Sequence, residues 1–161
     1  DNCSKIRIRL EDVITYGISY IKIENMRFNN KIAVAINHKG LNLMDIMLPP
    51  MLIQPFVENA IVHGLANLDS KGKIDIDIER KNATLLITIT DNGIGIEASK
   101  KQKAGIASSH KSVGMTITKR RLEMLSGDGE VGNIQVQELK DEFGKVAGTS
   151  VLLKIPLEEL D

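Results

Sequence analysis

The chain has 161 residues, which is enough for a single domain with a substantial core. Its 21 basic and 21 acidic residues balance, so no overall field favours nucleic acid or an anionic membrane. Aromatic residues make up only 3%, too few for a base-stacking surface, and the single cysteine, Cys3, excludes an internal disulfide.

The first part of the chain predicts two helices with a strand between them. Apolar residues recur at helical spacing from Leu10 to Phe28, and the alternating segment Lys31–Asn37 predicts a strand. Pro49 and Pro50 suit the first turn of a second helix, because proline needs no amide partner there. An apolar stripe from Leu52 to Ile61 continues that helix, and Gly64 begins its end.

Four strands, a loop and a helix are predicted for the rest. Lys73–Glu79 and Leu85–Thr90 alternate between apolar and polar residues and predict an antiparallel pair around a turn at Lys81 and Asn82. The segment Glu97–Lys111 has no sustained period and predicts a long functional loop. The remaining predicted elements are a helix from Val113 to Leu125 and strands at Asn133–Leu139 and Thr149–Pro156, joined through Asp141 to Gly148.

This order of elements predicts an α/β (α+β) two-layer sandwich. Its sheet is expected to be mixed and mostly antiparallel, with helices covering one face. The chain contains neither a long apolar run nor a signal peptide, and it begins with Asp, which suggests a soluble piece of a longer protein.

The segment Asp91-Asn92-Gly93-Ile94-Gly95 follows a predicted strand and allows two interpretations. Asp, Asn and Gly are common turn formers, so it is typical of a simple hairpin. Alternatively, two glycines without side chains let a flat ligand touch the backbone, and a buried Asp91 carboxylate accepts a hydrogen bond from an exocyclic amine. Both interpretations remain open from this segment alone.

A second group of polar residues lies on the predicted second helix. Asn59 and His63 are four residues apart and share a face, with Glu58 beside them. They fit an ordinary solvated face. They also fit a ligand site, because asparagine is a weak helix former and its amide oxygen is a suitable ligand for Mg²⁺ beside phosphates.

The third group lies where the long loop meets the predicted third helix. Ser112 could simply cap this helix. The free amides after Gly114 and Met115, with Lys119 and Arg121 close by, could instead bind phosphate at the helix N-terminus.

Taken together and in this order, the groups resemble the ATP-binding domain of the GHKL superfamily, which includes gyrase, heat-shock chaperone, histidine kinase and mismatch-repair ATPases. Glu58-Asn59 is similar to the N box, Asp91-x-Gly-x-Gly to the first glycine box, and Val113-Gly114-Met115 to the second. Gly148-Thr149 is similar to the terminal Gly-Thr motif. The run LPPMLIQPFVENAIVHG (Leu48 to Gly64), with KRRLEML (Lys119 to Leu125), resembles LytS/YehU-type bacterial sensor histidine kinases.

The resemblance implies a Bergerat-type fold that binds ATP and Mg²⁺. Asp91 would bind the adenine amine, Asn59 would bind Mg²⁺, and Glu58 would act as the catalytic base or orient the nucleophile. Residues 1–30 would form a linker helix and 31–161 the catalytic domain, with an ATP lid at about 97–112. The implied ATP-binding residues are Asn59, His63, Asp91, Gly93, Gly95, Ile96, Gly114, Met115, Lys119, Arg121 and Thr149.

The same resemblance implies partners and a location. None of the histidines at 38, 63 and 110 has the His-Phe-x-x-Asn context of a phosphoacceptor, so the acceptor is expected upstream of residue 1. The partners would be the upstream dimerisation and phosphoacceptor helices and a response regulator, without nucleic acid or direct membrane contact. The domain would be cytoplasmic, in a bacterial inner-membrane protein.

Two departures from the family pattern keep alternatives open. Val62 stands where these kinases often carry Lys or Arg, and Ser112 stands where the second glycine box usually begins with Gly. The alternatives are another GHKL ATPase or an anti-sigma-type serine kinase, or a degenerate nucleotide-binding module.

Overall fold

The computed structural model describes residues 6–27, 31–50, 52–61, 71–95 and 134–157. Within these ranges the chain forms two helices and seven strands. In chain order they are β1 (Ile8–Arg9), α1 (Leu10–Arg27), β2 (Ile32–Asn37), β3 (Met47–Leu48), α2 (Gln54–Asn59), β4 (Gly72–Lys81), β5 (Thr84–Asp91), β6 (Ile134–Lys140) and β7 (Val146–Pro156).

Five strands form the main sheet, in the order β2-β4-β5-β7-β6. Only β2 and β4 run parallel, and the three other neighbouring pairs are antiparallel. Along β4 the side chains of Ile74, Ile76 and Ile78 are buried, while the residues between them face the other side of the sheet. The predicted mixed, mostly antiparallel sheet is therefore confirmed.

Helix α1 is held to the rest of the domain at both ends. At its start, the amide of Leu10 donates to the carbonyl of Ile46 over 2.7 Å. Near its end, the side-chain amide of Asn25 donates to the carbonyl of Ile32 (2.8 Å) and accepts from the amide of Ile32 (2.9 Å). Asn25 thus pairs with the first residue of β2 as a neighbouring strand would.

The core lies between the sheet and the two helices. Leu10, Ile14 and Ile21 recur along one side of α1 and are buried, because that side packs against the domain. From α2, Phe56 and Val57 enter the same core. Two short strands that the sequence did not predict, β1 and β3, pair antiparallel through Ile8 and Leu48.

Several predicted boundaries differ from the structure by a few residues, among them the following three. Helix α2 begins at Gln54 instead of at the Pro49-Pro50 pair, because Met47–Leu48 pairs with β1 and a proline disfavours helical backbone in the residue before it. Strand β5 includes Asp91. Strand β7 begins at Val146, before Gly148, because Asp141 closes a tight turn by accepting from the amides of Phe143 and Lys145.

Several predictions lie outside the described residues. They are the long loop with its proposed lid at 97–112, the third helix from Val113 to Leu125, and the end of the second helix towards Gly64. The division into a linker at 1–30 and a catalytic domain at 31–161 stays a prediction. Neither of the helices that the structure describes is long and apolar enough to cross a membrane.

The two hydrogen bonds between Asn25 and Ile32 predict a measurable contribution to stability. Asn25→Ala removes two hydrogen bonds to Ile32, and we expect the free energy of unfolding to fall by roughly 1–2 kcal/mol. Urea unfolding followed by circular dichroism measures this change. Thr15→Ala is the control, because the Thr15 hydroxyl bonds only to the carbonyl of Glu11 in its own helix. Equal losses in both variants would contradict the role of Asn25.

Candidate functional site

Asp91 ends β5 and is the only polar or charged side chain within the described ranges that is buried, with 5% of its surface exposed. Its Oδ1 accepts a hydrogen bond of 2.8 Å from the amide of Gly93. The backbone amide of Thr149, the residue opposite it on β7, also bonds to the carboxylate. Two backbone groups from different parts of the chain therefore fix this side chain.

Burial changes the acidity of Asp91. It raises the pKa from the ordinary 3.8 to about 6, and the amides of Gly93 and Thr149 oppose the rise because they stabilise the charged form. A carboxyl group with this pKa is ionised at neutral pH but is costly to keep charged. Such a group is typical of a ligand-binding site, where an incoming donor can offset the lost hydration.

Gly148 permits the close approach of β7 to Asp91. Its φ of 141° lies in a region that favours glycine, and a Cβ there would overlap the carbonyl oxygen of Asp91 and lie 2.9 Å from the Cα of Asn92. No side chain could be placed at this position without moving the strands apart. Gly148 was recognised as part of the Gly-Thr motif, but the sequence did not predict it as a site residue.

Gly95 is also constrained, in this case by side chains of β6 and β7. It is buried with a φ of 90°, and a Cβ there would collide with the side chains of Glu138 and Val146. The missing side chain therefore lets the turn after β5 lie against β6 and β7. At this position the structure shows close packing of the chain against itself.

Asn92 ties the same turn to β4. Its Oδ1 accepts from the amide of Lys73 (2.7 Å), and its Nδ2 donates to the carbonyl of Lys71 (3.0 Å). A third bond joins the amide of Asn92 to the carbonyl of Lys73. From the sequence alone Asn92 is predicted only as a turn former, because its partners are distant along the chain.

Helix α2 carries the other two predicted site residues that the structure describes. Oε1 of Glu58 accepts from Nε2 of Gln54 at 3.3 Å, and Glu58 lies near the phenol of Tyr20 on α1. Burial, with the charges of Glu24 and Glu58, raises the pKa of that phenol to about 12, although Arg27 opposes the rise. Glu58 is thus half-buried at the contact between α1 and α2.

Asn59 is the last residue of α2 and is half-buried. Within the part of the chain that the structure describes, its side-chain amide makes no hydrogen bond, so its oxygen can accept a ligand. The described residues contain no group of three or more His, Cys, Asp or Glu side chains that could hold a metal ion. Mg²⁺ bound through one protein oxygen and the phosphates of a nucleotide needs no such group, and Asn59 fits that arrangement.

The structure brings together four of the predicted site residues. Asp91, Gly93, Gly95 and Thr149 meet where β5 and β7 are paired. Glu58 and Asn59 lie on α2, and no hydrogen bond or ion pair among the described residues joins them to Asp91. The predicted site residues outside the described ranges are His63, Ile96, Gly114, Met115, Lys119 and Arg121.

Comparison with known proteins identifies the family. Residues 44–159 match the histidine kinase-, DNA gyrase B- and HSP90-like ATPases. The chain belongs to this family. The matched range covers most of the chain and includes Glu58, Asn59, Asp91 and Thr149, so the predicted GHKL membership and an ATP-binding domain are confirmed.

Two relatives are similar to most of this chain. It is 32% identical over 142 residues to YwpD of Bacillus subtilis, covering 88% of this chain and 47% of that protein. It is 30% identical over 141 residues to the sensor histidine kinase/phosphatase LytS of Staphylococcus aureus, covering 87% of this chain and 22% of LytS. The chain therefore spans less than half the length of these curated relatives.

A solved structure supports the fold. The catalytic domain of the histidine kinase ThkA superposes with a TM-score of 0.60 at 16% identity. The superposition covers 94% of this chain and 95% of the ThkA catalytic-domain chain. At this identity the likeness establishes the architecture. The predicted two-layer α/β fold is that of histidine kinase catalytic domains, although the described residues include few helices.

The raised pKa of Asp91 predicts a pH-dependent stability. Because the folded state binds this proton more tightly, the stabilisation is fully present below pH 3.8 and is lost as pH rises through about 6. We expect a loss on the order of 3 kcal/mol across this window. Urea unfolding of the wild type and Asp91→Asn from pH 4 to pH 7.5 measures it, because other groups titrate in both proteins and cancel in the difference.

The expected difference has a defined sign. The free energy of unfolding of Asp91→Asn, minus that of the wild type, should increase with pH and become constant above about pH 6.5. Asp91→Asn also loses the hydrogen bond from the Thr149 amide. This loss changes the difference in the free energy of unfolding by the same amount at every pH. A difference that does not change with pH would contradict the burial argument.

Proposed function

We propose that this chain is the catalytic and ATP-binding domain of a two-component sensor histidine kinase of the LytS type. In the whole protein it would transfer the γ-phosphoryl group of ATP to a histidine outside these 161 residues, and from there to a response regulator. The observation that carries this proposal is the buried carboxylate of Asp91, held by two backbone amides at the end of β5.

Asp91 would bind the adenine base. One carboxylate oxygen already accepts from the amide of Gly93, and each carboxylate oxygen has more than one lone pair. The exocyclic amine of adenine would donate to the same group. A hydrogen bond to a charged acceptor in a water-excluded site is stronger than one between neutral groups, so this contact would select adenine over a base with a carbonyl in that position.

Gly148 and Thr149 would keep Asp91 in position for the base. The close contact at Gly148 brings the Thr149 amide to the carboxylate, and Asn92 holds the following turn against β4. These contacts join protein groups to one another, so they would hold the carboxylate in one geometry for the base. Preformed geometry of this kind lowers the entropy lost on binding.

Asn59 and Glu58 would act at the phosphate end. Asn59 would bind Mg²⁺ through its amide oxygen, which has no other partner among the described residues. The ion, when bound, would neutralise charge that develops on the transferred phosphoryl group. Glu58 would orient the attacking nucleophile or accept its proton, and its bond to Gln54 would limit the rotamers of its side chain.

The remaining residues of the proposed site belong to segments that the structure does not describe. We assign phosphate and nucleotide contacts to His63, Ile96, Gly114, Met115, Lys119 and Arg121, with a lid at about 97–112. The sequence predicts a helix that begins there, and free amides with cations at a helix start would suit phosphate.

The partners and location follow from the kinase proposal. The proposed partners are upstream helices of the same protein, which would carry the phosphoacceptor histidine, and a response regulator. LytS of Staphylococcus aureus is itself named a sensor histidine kinase/phosphatase. The domain would lie on the cytoplasmic side of a bacterial membrane protein.

Replacement of Asp91 tests the adenine role. In Asp91→Asn, one acceptor oxygen becomes a donor that faces the adenine amine, so we expect the affinity for an ATP analogue to fall at least thirtyfold, or about 2 kcal/mol. Isothermal titration calorimetry at pH 7.5 measures the affinity. Asp77→Asn is the matched control, because Asp77 lies between buried residues of β4 and faces the other side of the sheet.

Affinity within a factor of about 3 of the wild type, or roughly 0.7 kcal/mol, would reject the adenine role of Asp91.

For the wild type itself, affinity should also decrease as pH falls through about 6, because protonation removes the charge that accepts the amine.

Replacement of Asn59 tests the metal role. Asn59→Ala removes the amide oxygen, so we expect nucleotide affinity to fall about tenfold with Mg²⁺ present and to change little when EDTA replaces the ion. The same titration with and without Mg²⁺ gives both values. Gln54→Ala is the control on the same helix, because it removes an amide of similar chemistry that contacts Glu58. Equal losses with and without Mg²⁺ would reject the metal role.

A further inference from the structure

The turn that follows β5 is held by the sheet at both of its ends. At its start, the side chain of Asn92 accepts a hydrogen bond from the amide of Lys73 in β4. At its end, Gly95 lies against the side chains of Glu138 on β6 and Val146 on β7. Because the strands follow one another in the order β4-β5-β7-β6, this short turn reaches from β4 to β6.

Glu138 lies in line with the residues at the proposed adenine end of the site. Thr149 of β7 is paired with Asp91 of β5 on one side and with Glu138 of β6 on the other. Cross-strand partners point to the same face of a sheet, so the three side chains form one row. Asp91 is buried in this row, and Glu138 is half-buried. Glu138 is therefore the next side chain after Thr149 along the row that begins at Asp91.

Gly95 leaves no space between the turn and these side chains. A Cβ at this position would overlap Oε1 of Glu138 and Cγ1 of Val146. The φ of Gly95, 90°, is a second reason for glycine, because other residues rarely adopt it. Glu138 and Val146 thus contact the backbone of the turn directly. We name these two side chains the Gly95 support.

The position of Gly93 depends on the Gly95 support. Gly93 is buried between the two held ends of the turn, and its amide donates to Oδ1 of Asp91 over 2.8 Å. Glycine adopts more backbone conformations than any other residue, so a turn with glycines at 93 and 95 is not ordered by its own sequence. The bonds of Asn92 fix only the start of the turn. Contact with the Gly95 support limits the remainder and keeps the Gly93 amide on the carboxylate.

We propose that Glu138 is a positioning residue of the nucleotide site: together with Val146 it holds the turn after β5 where the amide of Gly93 reaches the carboxylate of Asp91. Glu138 acts through the turn, by the volume of its side chain. Its effect on affinity rests on the proposed function, in which Asp91 binds the adenine base. Its effect on the Gly93 amide does not, and can be measured without nucleotide.

The first test follows the Gly93 amide in the chain without nucleotide. Glu138→Ala removes half of the Gly95 support, so we expect this amide to exchange with solvent deuterium at least about fivefold faster, measured by NMR. Val146→Ala should change the exchange in the same direction. Glu138→Gln keeps the volume of the side chain and should stay within about twofold of the wild type. Gln137→Ala is the matched control, because Gln137 is exposed on β6 and faces the other side of the sheet.

The second test measures the consequence for binding. Glu138→Ala should lower the affinity for an ATP analogue about tenfold in isothermal titration calorimetry at pH 7.5, while Glu138→Gln and Gln137→Ala should stay within about threefold of the wild type. A loss in Asp91→Asn without a loss in Glu138→Ala would overturn the role of Glu138 and leave the proposed function intact. A wild type that does not bind the analogue would reject the proposed function, and exchange at Gly93 would still decide whether Glu138 positions the turn.

The third test couples the two sides of the contact. Gly95→Ala should lower affinity, because its Cβ meets the Gly95 support and its φ becomes strained. Adding Glu138→Ala makes room for that Cβ, so the double variant should bind within about threefold of Gly95→Ala alone. Single losses that multiply in the double variant would overturn the contact. The same cycle on the free energy of unfolding serves if Gly95→Ala binds too weakly for calorimetry.

Each outcome decides the proposal. Exchange at Gly93 that Glu138→Ala leaves unchanged overturns it. A Glu138→Gln variant as impaired as Glu138→Ala also overturns it, because the two variants share the lost charge and differ in volume. The amide resonances of Phe143 and Lys145, which bond to Asp141, are compared in every variant to confirm that the turn between β6 and β7 is retained.

Discussion

The contact between the end of β5 and the start of β7 is the constraint on which the site depends. A glycine at 148 lets the two backbones come closer than any side chain would allow, and this closeness delivers the Thr149 amide to the Asp91 carboxylate. The amide holds the carboxylate in place, and burial of the carboxylate raises its pKa although the amide opposes the rise. Gly93 supplies a second amide from the turn that follows. Affinity for the base would thus depend on how tightly two strands can pair.

Much of the fold could be predicted because its signals are local. Alternating isoleucines in β4 and the apolar positions of α1 follow the two basic periods of protein structure, and the sheet and first helix agree with them. The boundaries of α2 and β7 could not be predicted in the same way. They depend on the pairing of Met47–Leu48 with β1 and on the bonds that Asp141 makes within its turn.

For the site, too, local patterns could be predicted and tertiary contacts could not. Asp91, Gly93 and Gly95 could be recognised as a motif, because two glycines after an acidic residue at a strand end form a local pattern. What each residue contacts could not be recognised. Gly95 leaves room for Glu138 and Val146, and Asn92 bonds to Lys71 and Lys73, all of which are remote in sequence. The acidity of Asp91 is likewise a property of tertiary burial, and no spacing of residues encodes it.

The attachment of α1 at both of its ends has a mechanical consequence. Because Leu10 bonds to Ile46 and Asn25 to Ile32, the helix cannot turn about its axis without pulling on the loop before β3 and on the edge of the sheet. The phenol of Tyr20 on this helix also lies close enough to Glu58 for the charge of Glu58 to raise its pKa. A rotation of α1 would therefore strain its attachments to the loop before β3 and to β2 at the same time.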